Sequence, residues 1–130
     1  MERIAEYFVQ LLDMLRHNRW VVSEDLSFRE IDSNEGYVRG TLYLNGGCVL
    51  HVAEYIEIEQ GLAKRIKYRY QLQDHNDLLV RRWDNAPHHK EISTYPHHCH
   101  AAEGSVFRSL EMDIPSALSQ LNEILDENNS

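Results

Sequence analysis

Five of the chain's eight histidines lie within thirteen residues, as His88, His89, His97, His98 and His100. Imidazole titrates near neutrality, ligates transition metals through a lone pair, and both donates and accepts hydrogen bonds. Three kinds of chemistry fit such a density. Two imidazoles can act as acid and base in cleaving a phosphodiester through the ribose 2′-OH, which also needs a cation near the developing charge. Three convergent ligands with one open position would make a metal centre. Alternatively, the histidines are polar members of a turn built on Asp84, Asn85 and Pro87, a sequence that biases Ala86 away from helix.

The neighbours favour the first chemistry. The segment emerges from Arg81, Arg82 and Trp83, and Arg65 and Arg69 lie a short way upstream. Guanidinium matches phosphate geometry bidentately, so these four arginines are candidate phosphate ligands. Trp83 and Tyr95 are candidate base-stacking rings, while Tyr68 and Tyr70 read as core. For a metal, His98 and His100 would share one face of an extended segment, with His97 and Cys99 on the other, and His88 or His89 would complete the set. The spacing matches no standard zinc pattern and there is no HExxH. There is also no glycine-rich phosphate loop and no GxSxG. Glu54, Glu57 and Glu59 are candidate paired acids, but Glu57 and Glu59 share one strand face and read as solvated.

The elements that must position these residues follow from periodicity. Residues 3–16 place Ile4, Tyr7, Phe8, Leu11, Leu12 and Leu15 on one helical stripe that "HN" (17–18) ends. From Trp20 the period becomes two. Strands are predicted over 20–31, 37–44, 48–59, 64–73 and 78–84, separated by the turn signals "DSNEG", "NGG", "QG" and "DHND". In 64–73, Ile66, Tyr68, Tyr70 and Leu72 alternate with Arg65, Lys67, Arg69 and Gln71, giving one core face and one cationic face. Near the C-terminus, Leu118, Leu121 and Leu125 form a helical stripe, with Asp113 as candidate N-cap and Pro115 in the first turn.

At 130 residues with 42% hydrophobic content, the chain holds a single core, and 1–130 reads as one domain. No window approaches a membrane span, and the acidic N-terminus is wrong for a secretory signal, so a cytoplasmic location without membrane association is expected. Cys48 and Cys99 read as reduced thiols, Cys48 packing as a small hydrophobe. The net charge of −8 argues against a nucleic-acid partner, yet residues 64–100 carry seven Lys/Arg against four Asp/Glu. That asymmetry suggests a basic face on an acidic body.

The segments "YRYQLQD" (68–74), "RRWDNAPHH" (81–89) and "YPHHCH" (95–100), followed by a short helix, resemble the TumE-like toxins of type II toxin–antitoxin systems. Cys99 stands where that family more often carries Lys. The resemblance implies a cytoplasmic toxin neutralised by a DNA-binding antitoxin, and it leaves the mechanism open. Combined with the residues above, it suggests a metal-independent ribonuclease acting on RNA. In that reading His88, His89, His97, His98, His100 and Asp84 are catalytic, and Arg65, Arg69, Arg81, Arg82 and Trp83 bind nucleic acid. No cofactor is expected; a divalent metal belongs to the alternative of a metal-dependent hydrolase, and a third reading is a non-enzymatic protein-binding module. The expected fold is α+β, an antiparallel sheet of about five strands with N- and C-terminal helices packed on it.

Overall fold

A computed structural model describes residues 2–87 and 95–128. Its order is α1 (Ile4–His17), β1 (Val21–Asp32), β2 (Glu35–Leu44), β3 (Val49–Glu59), β4 (Leu62–Gln73), β5 (Leu79–Asp84), β6 (His98–Ala101), β7 (Val106–Arg108), α2 (Ile114–Ser119) and α3 (Leu121–Asn128). The strands form one antiparallel sheet in sequence order, β1 to β7. The α+β architecture is as expected, and the strand count is seven rather than five. The additional pair, β6 and β7, is short: "HCHA" and "VFR" lack the run of alternating apolar residues that marks a strand in a sequence.

Alternation decides what each strand buries. Along β2 and β3, Val38, Leu42, Leu50, Val52 and Ile56 point to one face, and Tyr68, Tyr70 and Leu72 of β4 and Trp83 of β5 continue it. Ile4, Phe8, Leu11 and Leu15 of α1 cover this face, as do Ile114, Ala117, Leu118, Leu121 and Ile124 of the C-terminal helices. The side chain of Asp113 accepts from the Ser116 amide at 2.8 Å and caps α2, as its position predicts.

Glu54 is an exception inside this core, 3% exposed. It accepts hydrogen bonds from the Tyr7 hydroxyl at 2.7 Å and from the Tyr70 hydroxyl, and so ties α1 to the sheet. Burial holds its carboxyl above the usual carboxylate range, and burial likewise raises both phenols.

Gly40 sets how closely β1 and β2 approach. Its φ of +146° lies where side chains are disfavoured, and a Cβ there would meet the Asp25 carbonyl oxygen at 2.0 Å. Gly40→Ala is therefore expected to destabilise the fold through about 1–3 kcal/mol of overpacking and a similar backbone term. A urea midpoint equal to that of the parent chain would contradict this.

Candidate functional site

Asp84 ends β5, and its register partner on β6 is His98. Because side chains alternate, His100 falls on the same face two residues on, opposite Arg82. The result is a buried polar cluster: Asp84 is 5% exposed, His98 1% and His100 9%. His98 Nε2 lies 2.7 Å from Asp84 Oδ1, and His100 Nε2 lies 3.2 Å from Oδ2. Arg82 bridges the second side, Nε to Asp84 Oδ2 at 3.2 Å and Nη2 to His100 Nε2 at 3.2 Å. The Ala86 amide donates to Asp84 Oδ1 at 3.2 Å, so the carboxylate also closes the turn that follows the strand.

A backbone partner orients the His98 ring. His98 Nδ1 is 2.9 Å from the carbonyl of Pro96, which can only accept, so Nδ1 carries hydrogen. Its Nε2 lies on the side of the ring turned to Asp84 Oδ1, 2.7 Å away. His100 Nε2 stands between a donor and an acceptor, with Arg82 Nη2 and Asp84 Oδ2 each at 3.2 Å. The cluster thus sets an imidazole against one carboxylate oxygen of Asp84 and the Arg82 guanidinium against the other.

Among the described residues, the face of the sheet opposite the helices leads to it. One cross-strand row runs Arg39, Ala53, Arg69, Asp84, His98, and the next runs Thr41, His51, Gln71, Arg82, His100. A third places Tyr37 opposite Tyr55, and Tyr55 opposite Lys67. Arg39, Lys67 and Arg69 are exposed. A cavity of about 860 Å³ opens over these rows, and Asp84, Arg82 and Arg69 line it along with Tyr37, Tyr55 and Tyr95.

The expected site residues divide. Asp84, His98 and His100 come together, with Arg82 bonded to them and Arg69 in register beside Asp84. His97 is on the other face of the sheet: its Nδ1 is 2.8 Å from the Tyr68 hydroxyl and the rings stack. Burial pushes the Tyr68 phenol up to about 12, and its oxygen also accepts from the Met112 amide. His88 and His89 lie outside the described residues.

Three of the expected nucleic-acid ligands are not on the cationic face. A bulge between Tyr55 and Ile56 skips Ile66 in the pairing, so Arg65 pairs with Ile56 and turns to the helical side. There Arg65 Nε donates to the Met112 carbonyl at 3.2 Å, and Ile66 becomes 37% exposed. Arg81 and Trp83 alternate with Arg82 and Asp84, so they too face the helical side. Arg81 reaches Gln120 at 3.4 Å, and Trp83 is 2% exposed and cannot present a ring to a base. Cys99 is buried with its thiol pushed up by burial, and Cys48 packs in the core. Arg39, Tyr37 and Tyr55 enter the site without having been singled out. The signal for them was available in "YVRG": the tight "NGG" turn fixes the β2–β3 register and places Tyr37 and Arg39 on the face opposite Val38.

Comparison with known proteins decides the family. A family model described as "Toxin TumE" matches residues 11–127, from the middle of α1 into α3. The chain belongs to the TumE toxin family. Membership makes it the toxin of a toxin–antitoxin system, with an antitoxin as its partner. The matched span takes in all seven strands, so the Asp84–His98–His100 cluster and the cationic rows lie inside the TumE region. No curated protein and no solved structure matches the chain. Among the described residues of this TumE member, no helix is long and apolar enough to cross a membrane.

Proposed function

We propose that this toxin is a ribonuclease that needs no metal, cleaving RNA by proton transfer at Asp84 and the imidazoles behind it. The observation that carries this is register: Arg69 and Arg82 flank Asp84 on the face of the sheet opposite the helices, so a phosphate bound between them lies against Asp84, with His98 behind it. Asp84 lines the cavity and is the group within reach of a 2′-OH or a leaving 5′-oxygen. His98, 1% exposed, is a positioning residue that holds or returns the proton on Asp84. Arg82 and Arg69 would stabilise the anionic transition state. Incubating the purified protein with RNA in excess chelator should yield cleavage with 2′,3′-cyclic phosphate ends. Intact RNA under every condition would overturn the reading.

A second reading has one observation behind it. The ligand atoms of Asp84, His98 and His100 lie within 4.8 Å of one another, an arrangement that suits a divalent transition metal. Against it, the Arg82 guanidinium already contacts both Asp84 Oδ2 and His100 Nε2, and an ion would have to displace that charge. Elemental analysis of untagged protein separates the two: stoichiometric metal whose removal abolishes cleavage favours the second.

A further inference from the structure

We propose that Tyr37 and Tyr55 form a stacking platform for unpaired bases, which makes single-stranded RNA, not duplex, the ligand of this face. The inference rests on the RNA reading above and names which form of RNA the site takes. The two rings are register partners on β2 and β3, with centroids 5.0 Å apart and planes inclined at 41°. Cross-strand aromatic pairs are common and stabilise a sheet by themselves. That role explains the pairing but not its place, on the face opposite the helices and in the wall of the cavity that Asp84 also lines.

Each ring has a cation beside it: Arg39 two residues along from Tyr37, and Lys67 directly opposite Tyr55. Alternating flat aromatic and cationic groups is the pattern that a single strand fits, bases on rings and phosphates on cations. A duplex cannot use it, because its bases are stacked on one another and only its edges and backbone are presented. The Tyr55 ring is held in advance, its hydroxyl donating to Glu57 at 2.8 Å and bonding Glu35, so little side-chain freedom remains to be lost on binding. By strand spacing and rise Tyr55 lies roughly 12 Å and Tyr37 roughly 16 Å from Asp84, a span that a short stretch of extended strand bridges. Tyr95, 40% exposed, lines the same cavity and offers a third ring.

The test measures affinity for a short, mixed-sequence 2′-O-methyl oligoribonucleotide, which cannot be cleaved, and for the same strand annealed to its complement. Tyr37→Leu and Tyr55→Leu should each weaken single-strand binding about tenfold or more. Tyr55→Phe, which keeps the ring and loses the hydroxyl that pre-orders it, should lose clearly less affinity than Tyr55→Leu, and the duplex should bind at least about tenfold more weakly. Tyr37→Trp preserves the aromatic pair should the leucine variants not fold, and the emission it adds should be quenched by the single strand. Unchanged affinity in the folded leucine variants, unquenched emission, equal affinity for duplex, or equal affinity for polyglutamate would each overturn the platform while leaving RNA cleavage standing. A parent chain that binds neither form of RNA overturns the ribonuclease reading, and the platform with it.

Discussion

Asp84→Ala is expected to lower the unfolding free energy by about 3–5 kcal/mol, the usual cost of removing one partner from a buried charge cluster. The carboxylate faces His98 at 2.7 Å and His100 and Arg82 at 3.2 Å, and it accepts from the Ala86 amide. Without it, two buried imidazoles and a guanidinium face one another across an empty space. A urea midpoint near that of the parent chain would show that the cluster is not held by this carboxylate. Asp84→Asn separates stability from chemistry. The amide keeps the volume and an acceptor for Ala86, and it removes the carboxylate that lies 2.7 Å from His98 Nε2. The fold should survive better than in Asp84→Ala, while RNA cleavage should fall by about 10²–10⁴, the contribution of a positioned acid–base group. Cleavage at the parent rate in Asp84→Asn would remove Asp84 from the mechanism.

Trp83→Ala carries the other large effect, and it falls entirely on stability. The indole is 2% exposed, among the largest fully buried side chains on the helical face of the sheet. Its removal should cost about 3–5 kcal/mol through lost contacts and the cavity left behind. At a temperature where the variant is still folded, single-strand affinity should match that of the parent chain, since the indole does not reach the cationic face. Loss of RNA affinity in the folded variant would return Trp83 to the binding face and contradict the strand parity described here.

The site was partly legible in the sequence, and the reasons divide residue by residue. His98 and His100 share a face because the residue period of a strand is two, which holds wherever the segment is extended. Asp84 was legible twice over, as a turn former and as a carboxylate next to imidazoles. Arg65 was misplaced because one bulged residue reverses the parity of everything before it, and nothing in "KRIKYRY" marks where the bulge falls. Arg81 and Trp83 were grouped with Arg82 and Asp84 because they are contiguous; in a strand, contiguous residues point apart. The excess of positive charge in residues 64–100 is real in composition but is not one surface. Lys64 pairs with Glu59 at 2.9 Å, Arg65 and Arg81 face the helices, and the opposite face takes Arg39 from another strand. The five leading strands followed from their turn signals, while β6 and β7 are too short to show a period.

The connection between β5 and β6 has a thermodynamic consequence. Every other pair of neighbouring strands is joined by two to five residues, whereas residues 85–97 separate β5 from β6. Closing that longest connection carries the largest loop entropy in the sheet, and the side chains at its two ends are Asp84 and His98. The Asp84–His98 pair therefore also holds β5 to β6 across that separation in sequence. Forming that pair and pairing the two strands are one equilibrium, so a ligand that engages Asp84 in place also stabilises the β5–β6 pairing by mass action. Amide exchange in β6 should slow in proportion to how tightly the face is occupied, a readout of occupancy that needs no turnover at all.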